Sequence, residues 1–219
     1  RKGLQSRCGW ESALRERNDR FMGIVVCDIS VSLNGFVAGP NQRLEAPLGD
    51  EGGEALHSWM FEQPEENAAE ISAMHQSGAY IMGRNMFGPG RGAWDLSWEG
   101  WWGGDPPFDA PVFVLTHHPR ETLVMKDGTE IQFVTDGIKS ALAQAQAAAG
   151  DASVGIAGGA ATVNAYLAAG LIDELRLHVA PITFRTGERL FEGVGNLTLE
   201  PFSVRSNELI THLTYRVIR

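Results

Sequence analysis

The stretch Val154-Gly155-Ile156-Ala157-Gly158-Gly159-Ala160-Ala161-Thr162 decides the fold. An apolar segment over 153–157 reads as a buried strand, and a run of helix formers to about Ala169, closed by Gly170, reads as a helix. Paired glycines between a strand and a helix leave backbone N–H groups free of Cβ atoms at the positive end of a helix dipole, where a phosphate can approach. The same pair also serves as a plain tight connection. The motif is not GxGxxG, and no GxxxxGK[ST] occurs, so neither the common dinucleotide fingerprint nor a P-loop is present.

Outward from this stretch, strands and helices alternate. Ile138–Ala149 is an Ala-rich helix closed by Gly150, and 23–31, 79–83, 111–116, 130–135 and 174–180 read as strands. Asn34-Gly35 marks a turn after the first strand. Ala55, Leu56, Trp59 and Met60 predict a short helix ended by Pro64, and 65–76 a second with Glu65 and Glu66 in its first turn and Gly78 as its C′ residue. Two more strands are expected at 197–203 and 208–218. The pattern predicts an α/β, three-layer domain over residues 22–219: a central, mostly parallel sheet with an antiparallel edge and helices on both faces. Residues 1–21 are expected to form a disordered extension or an assembly arm. They lack the apolar stretch of a secretory signal.

The 219 residues are 43% hydrophobic and 21% charged, the balance of one ordinary globular domain. No apolar run approaches the roughly 20 residues of a membrane span. Two cysteines, Cys8 and Cys27, make no disulfide framework and stand in no metal-ligand spacing, so a soluble protein of a reducing, cytoplasmic compartment is expected, with no metal. Residues 1–21 carry six Lys+Arg against three Asp+Glu, which leaves twelve against 24 and a net −12 in the remainder. Such an acidic body repels phosphate backbones, and no nucleic-acid partner is expected.

Two further strand ends carry phosphate-friendly groups: Met82-Gly83-Arg84, with a planar guanidinium, and Leu115-Thr116-His117-His118-Pro119-Arg120, with hydroxyl and imidazole donors. Open α/β sheets bind ligands beyond the carboxyl ends of their strands. Three such ends point to a nucleotide pocket.

The order of these elements resembles the dihydrofolate reductase-like superfamily. It is most similar to the reductase domain of the riboflavin-biosynthesis deaminase-reductase and its free-standing bacterial relatives. The resemblance rests on Ser32-Leu33-Asn34-Gly35-Phe36-Val37-Ala38, with Asn34 at a customary Asp, on 81–84, 114–116 and 157–160, and on Gly170-Leu171-Ile172-Asp173-Glu174-Leu175 followed by Pro181 and Gly187-Glu188-Arg189-Leu190-Phe191. It implies a sheet of about eight strands, a homodimer, and hydride transfer from NADPH. Ala157, Gly158, Gly159, Ala160, Ala161 and Thr162 would seat the pyrophosphate through a peptide often cis in the family. Gly83 and Arg84 would flank the adenosine half, Thr116 and His117 would meet the 2′-phosphate, and Asn34 and Ala38 would border the substrate.

Three departures from dihydrofolate reductases stand out. Met86 replaces a phosphate-binding Thr, Ala161 replaces an Arg after the glycines, and only Glu66 and Glu70 lie near the place of the pterin-binding acid. No deaminase motif is present, so zinc-dependent deamination is excluded. Arg91, Arg185 and Arg189 are candidates for a substrate phosphate. The loop 88–110 holds Trp94, Trp98, Trp101 and Trp102 and admits two readings: a satellite core or dimer contact, or an aromatic lid over a planar heterocycle in which Trp94 and Trp98 touch substrate. His57, His75, His178 and His212 read as ordinary surface or strand residues. The expected function is an NADPH-dependent reductase of an aminopyrimidine-, pterin- or flavin-like small molecule. A non-catalytic dinucleotide-binding protein that keeps only the cofactor seat is the alternative.

Overall fold

The computed structural model describes residues 23–50 and 52–219, so the expectation for residues 1–21 lies outside the described residues. Eleven strands are present among them: β1 Val25–Ser32, β2 Phe36–Ala38, β3 Ala79–Gly83, β4 Val112–Leu115, β5 Leu123–Val124, β6 Glu130–Val134, β7 Val154–Gly158, β8 Glu174–Ala180, β9 Glu188–Arg189, β10 Thr198–Ser206 and β11 Thr211–Ile218. The helices are α1 Ser58–Glu62, α2 Ala68–Met74, α3 Arg84–Phe87, α4 Ile138–Ala149 and α5 Ala160–Ala168, with a 3-10 turn at Gly53–His57.

Nine strands form one sheet in the order β10-β11-β8-β1-β7-β3-β4-β6-β5. The inner pairs β8-β1, β1-β7, β7-β3, β3-β4 and β4-β6 are parallel, and both edges are antiparallel. β2 and β9 pair separately. Alternation along each inner strand divides its side chains between the two faces. Val25, Cys27, Ile29 and Val31 of β1, Ile81 of β3 and Phe113 of β4 pack under Ala141, Leu142 and Ala145 of α4 and Val163, Tyr166 and Leu167 of α5. On the opposite face, Tyr80, Met82, Val112 and Val114 pack with Phe87, Phe108 and the Trp-bearing loop. Phe36, Ala180 and Phe184 pack there with Leu56 and Trp59. The three-layer α/β expectation is met.

The block 170–175 has a local explanation. Gly170 adopts φ +63 just past α5, and Ile172 is fully buried. The Asp173 carboxylate accepts the Val25 N–H at 2.9 Å and the Arg219 guanidinium at 3.1 Å, so one side chain ties the starts of β1 and β8 to the end of β11.

Several sequence expectations are corrected. α2 begins at Ala68, because the buried Asn67 amide donates to the carbonyls of Trp59 (3.0 Å) and Gln63 (2.8 Å), capping α1 before the chain can continue as a helix. Gly78 is not the C′ residue of α2, whose C-cap is His75. It is glycine because a Cβ there would press on Ala149 and Ala152. The two-residue strands β5 and β9 are too short to leave a periodic signal in sequence.

Candidate functional site

The sheet splits where the site lies. β1 pairs with β7 only from Val25↔Val154 to Cys27↔Ile156, whereas on its other side it stays paired with β8 through Ser32↔Ala180. The crevice that opens beyond Cys27 grows into a cavity of about 760 Å³, walled by the ends of β3, β4, β6 and β7, the first turn of α5, the helix α3, and the loops at 40–48 and 88–102. This is a ligand-sized space at the carboxyl ends of parallel strands.

The first wall is the glycine pair. Gly158 adopts φ +112, the Gly158–Gly159 peptide is cis, and Gly159 is the N-cap of α5. A Cβ on either glycine would meet no protein atom within 4 Å, so both open onto free space above the helix N-terminus. This bare backbone cradle fits a pyrophosphate. Ala157, Ala160, Ala161 and Thr162 line the same wall. Thr162 also abuts Gly83, whose missing Cβ leaves room for its hydroxyl.

The second wall is cationic. Arg84 donates from Nε to the Gly90 carbonyl (2.9 Å) and from Nη1 to that of Gly92 (2.6 Å), and its guanidinium stacks 3.8 Å from the centre of the Trp94 ring. Its fork therefore pins the Trp-bearing loop while still lining the cavity. Burial, and after it the charge of Arg91, lowers its pKa from the ordinary value. Arg91 donates to the Asn85 side chain at 2.7 Å. The two cations share one rim, which favours an anionic ligand group. Thr116 and His117 stand beside them, with the Thr116 hydroxyl accepting the His118 N–H at 3.1 Å.

Ala38 lines the cavity, but Asn34 does not. Asn34 accepts from Ser32 Oγ and the Phe184 N–H and donates to the Phe184 carbonyl at 2.7 Å, which locks the turn after β1. Trp94 and Trp98 also lie off the cavity wall: the Trp94 indole N–H donates to the His118 carbonyl and that of Trp98 to the Phe87 carbonyl. Trp101 and Trp102 are the tryptophans that face the cavity. The loop thus packs as a satellite core around Phe87, with Trp94 and Trp102 edge-on to it at 5.6 and 6.0 Å, and turns two of its indoles to the ligand space.

Neither Glu66 nor Glu70 reaches the cavity. Glu70 instead binds the Arg205 guanidinium through both oxygens, at 2.7 and 2.6 Å. Two carboxylates line the wall: Glu188 of β9 and, with His57 and Met74, Asp28 of β1. The sequence held a signal for the second, because Asp28 is the single charged residue within the apolar run 23–31, and a charge placed in a buried strand needs a purpose. His178 and His212 are strand residues, of β8 and β11, and both are buried, at 2% and 5% exposure. His75 does stay exposed, with Nδ1 beside the Pro107 carbonyl. Burial, and after it the charge of His178, lowers the pKa of His57 to about 4. Among the described residues no group of three or more His, Cys, Asp or Glu could hold a metal ion, and no helix is long and apolar enough to cross a membrane.

Comparison with known proteins agrees with this architecture. The family model described as the RibD C-terminal domain matches residues 24–214. A crystal structure of a Shewanella sp. PV-4 protein ascribed to riboflavin biosynthesis is 22% identical, covering 90% of this chain and 99% of that one, with a TM-score of 0.63. The diaminohydroxyphosphoribosylaminopyrimidine deaminase/5-amino-6-(5-phosphoribosylamino)uracil reductase of Thermotoga maritima is 13% identical over 90% of this chain and 57% of its own, with a TM-score of 0.58. A dihydrofolate reductase from Enterococcus faecalis, complexed with NADP(H), is 15% identical over 90% and 98% of the two chains, with a TM-score of 0.52. These similarities describe a shared reductase-type fold, and the match over 24–214 identifies this chain as a member of the RibD C-terminal domain family.

Proposed function

We propose that the protein is an NADPH-dependent reductase that transfers a hydride to a small heterocycle of the aminopyrimidine, pterin or flavin class. The observation that carries this assignment is the Gly158-Gly159 cradle, open on its ligand side and set at the N-terminus of α5 inside a 760 Å³ cavity. Family membership supports it, as do the T. maritima and E. faecalis relatives, one named as a uracil-type reductase and the other complexed with NADP(H).

Gly158, Gly159, Ala160, Ala161 and Thr162 would hold the pyrophosphate, and Gly83, Arg84, Thr116 and His117 the adenosine end with its 2′-phosphate. Arg91 adds a second cation to that rim, and its charge offsets the apolar side chains of Met86 and Ala161, which offer a phosphate no donor. The bound nicotinamide would supply the hydride. The protein's part is to hold a planar substrate against Ala38 and the indoles of Trp101 and Trp102 and to exclude water from the path. We further propose one reductase domain over 22–219, acting as a cytoplasmic homodimer on a small-molecule substrate, with no nucleic-acid or membrane partner.

The test is a parallel fluorescence titration with NADPH and NADH, read by tryptophan quenching and energy transfer to the nicotinamide. Tight NADPH binding and weak NADH binding are expected. NADPH oxidation should follow on addition of 5-amino-6-(5-phosphoribosylamino)uracil, dihydrofolate or a flavin. Failure to bind either dinucleotide would refute the assignment.

A further inference from the structure

A buried polar chain runs across three strands behind the cavity, and its donors and acceptors can be assigned one by one. It begins at Asn67, whose Nδ2 donates to the carbonyls of Trp59 and Gln63, so its amide orientation is fixed. Its Oδ1 accepts from Arg205 Nη2 (2.9 Å) and Asn207 Nδ2 (2.9 Å) and lies 3.0 Å from His212 Nε2. An amide oxygen can only accept, so His212 carries its hydrogen on Nε2. Burial, and after it the charge of His178, brings the pKa of His212 down to about 4, against the pull of Glu70; Arg205 adds to the lowering. His212 is therefore neutral near pH 7, and its Nδ1 is a bare acceptor.

His178 Nδ1 lies 2.7 Å from that acceptor and must donate to it. In neutral His178 the remaining Nε2 is then a bare lone pair. It faces Asp28 Oδ1 at 3.6 Å, and both atoms are buried without a hydrogen-bond partner. The other carboxylate oxygen, Oδ2, is taken by Arg176 Nη1 at 3.3 Å, and Arg176 is itself held by Glu174 at 2.6 Å. Two facing acceptors with no solvent repel unless a proton lies between them, and a buried polar atom left unpaired is costly. The Trp59 ring, 4.7 Å from the His178 ring, holds the imidazole in place, and a cation there is welcome against its π face.

We propose that Asp28 and His178 hold one proton between them at the cavity wall, and that Asp28 delivers it to the ligand atom next to the carbon that accepts hydride. The proposal rests on the reductase assignment. In a C=N substrate the carbon gains a hydride from the reduced nicotinamide, which is oxidised by two electrons, and the π pair passes to nitrogen. An N–H bond forms there as the proton leaves the Asp28–His178 pair through the cavity-lining Asp28, and water that fills the cavity after the product leaves returns a proton by the same side chain. Asp28 is the catalytic acid. His178 is a positioning residue, with its tautomer set through His212 and Asn67.

Two readouts test this. In protein labelled with 15N at histidine, NMR should find His178 protonated at Nδ1, with the Nε2 signal of a proton shared with Asp28 in the wild type. The signal should become that of a fixed, neutral ring in Asp28→Asn. That variant should fold, because an Asn amide can donate to the bare Nε2. Its NADPH affinity should be unchanged, while kcat for NADPH oxidation with dihydrofolate or 5-amino-6-(5-phosphoribosylamino)uracil falls by about 10²- to 10³-fold, the share of a general acid. In His178→Gln the loss of kcat at rising pH should move to lower pH, since Asp28 then keeps Arg176 with its partner Glu174, neutral His57, and the uncharged Tyr80 and Cys27 as charged or titratable neighbours, none of which can share its proton as His178 does. A neutral wild-type His178 with its hydrogen on Nε2, or full kcat in Asp28→Asn, would overturn the proposal. Absence of NADPH binding and turnover in the wild type would instead overturn the reductase assignment and with it the donor role of Asp28, while the histidine spectrum still decides whether the proton is shared.

Discussion

Gly83 and Thr162 touch: the end of β3 meets the first turn of α5 so closely that a Cβ on Gly83 would overlap the Thr162 hydroxyl. This contact sets the spacing between the two walls of the cavity, one bearing the glycine cradle and the other Arg84. Gly83→Ala should therefore destabilise the fold by about 1–3 kcal/mol, the usual cost of overpacking. Thr162→Ala in the same chain should restore most of that stability, because its Cβ would remain in ordinary contact at 3.6 Å. A double-mutant cycle of urea midpoints measures the coupling.

Gly159 offers the cleaner probe of the cradle. Its φ of −76 is open to any residue, whereas Gly158 at +112 is strained for all but glycine. Gly159→Val should cut NADPH affinity at least about a hundredfold, or some 2.7 kcal/mol, and change the melting temperature little. Fluorescence titration and thermal melting of the same sample check both.

Arg84 has a structural duty beside its place at the rim. Its fork reaches the carbonyls of Gly90, Gly92 and Ala93, an arrangement that the point charge of lysine cannot reproduce. Arg84→Lys should cost about 1–2 kcal/mol and speed proteolysis within 88–110. Limited digestion followed by mass spectrometry would locate the cuts.

Acid should weaken the fold through His57 and His212. Both have pKa values lowered from 6.5 to about 4, by burial first and then by the neighbouring His178. Between those limits the unfolded chain binds protons that the folded one refuses, so stability falls as pH drops from 6.5 toward 4 and is insensitive to these groups above 6.5. Glu70 and Arg205 face His212 from α2 and β10 and are part of the same balance. Urea midpoints at pH 8, 6.5 and 5 should show the decline, and His57→Gln should flatten it.

Much of the fold was legible because its elements are local. The helices α4 and α5 and the strand β8 follow directly from apolar periodicity and their closing glycines, as does the glycine pair at the end of β7. β5 and β9, by contrast, exist only through their partners: Leu123 and Val124 extend β6, and Glu188 and Arg189 pair with β2. Asn67 shortened α2 for a reason no propensity records, since its amide serves carbonyls of a different helix.

The amino-acid sequence by itself determined the α/β alternation, the cradle and the family, because each depends on residues close together in the chain. Tertiary structure decided which groups face the cavity. Trp94 and Trp98 gave way to Trp101 and Trp102 because Trp94 is held under the Arg84 guanidinium and against Phe133 while Trp98 is tied to the Phe87 carbonyl, which leaves Trp101 and Trp102 on the cavity wall. Glu70 gave way to Asp28 because Arg205, from the far end of the chain, claims the Glu70 carboxylate. The parting of β1 from β7 after Cys27 leaves Asp28 at the opening, beside His178. Such pairings join distant segments, and their geometry is fixed only when the sheet has formed.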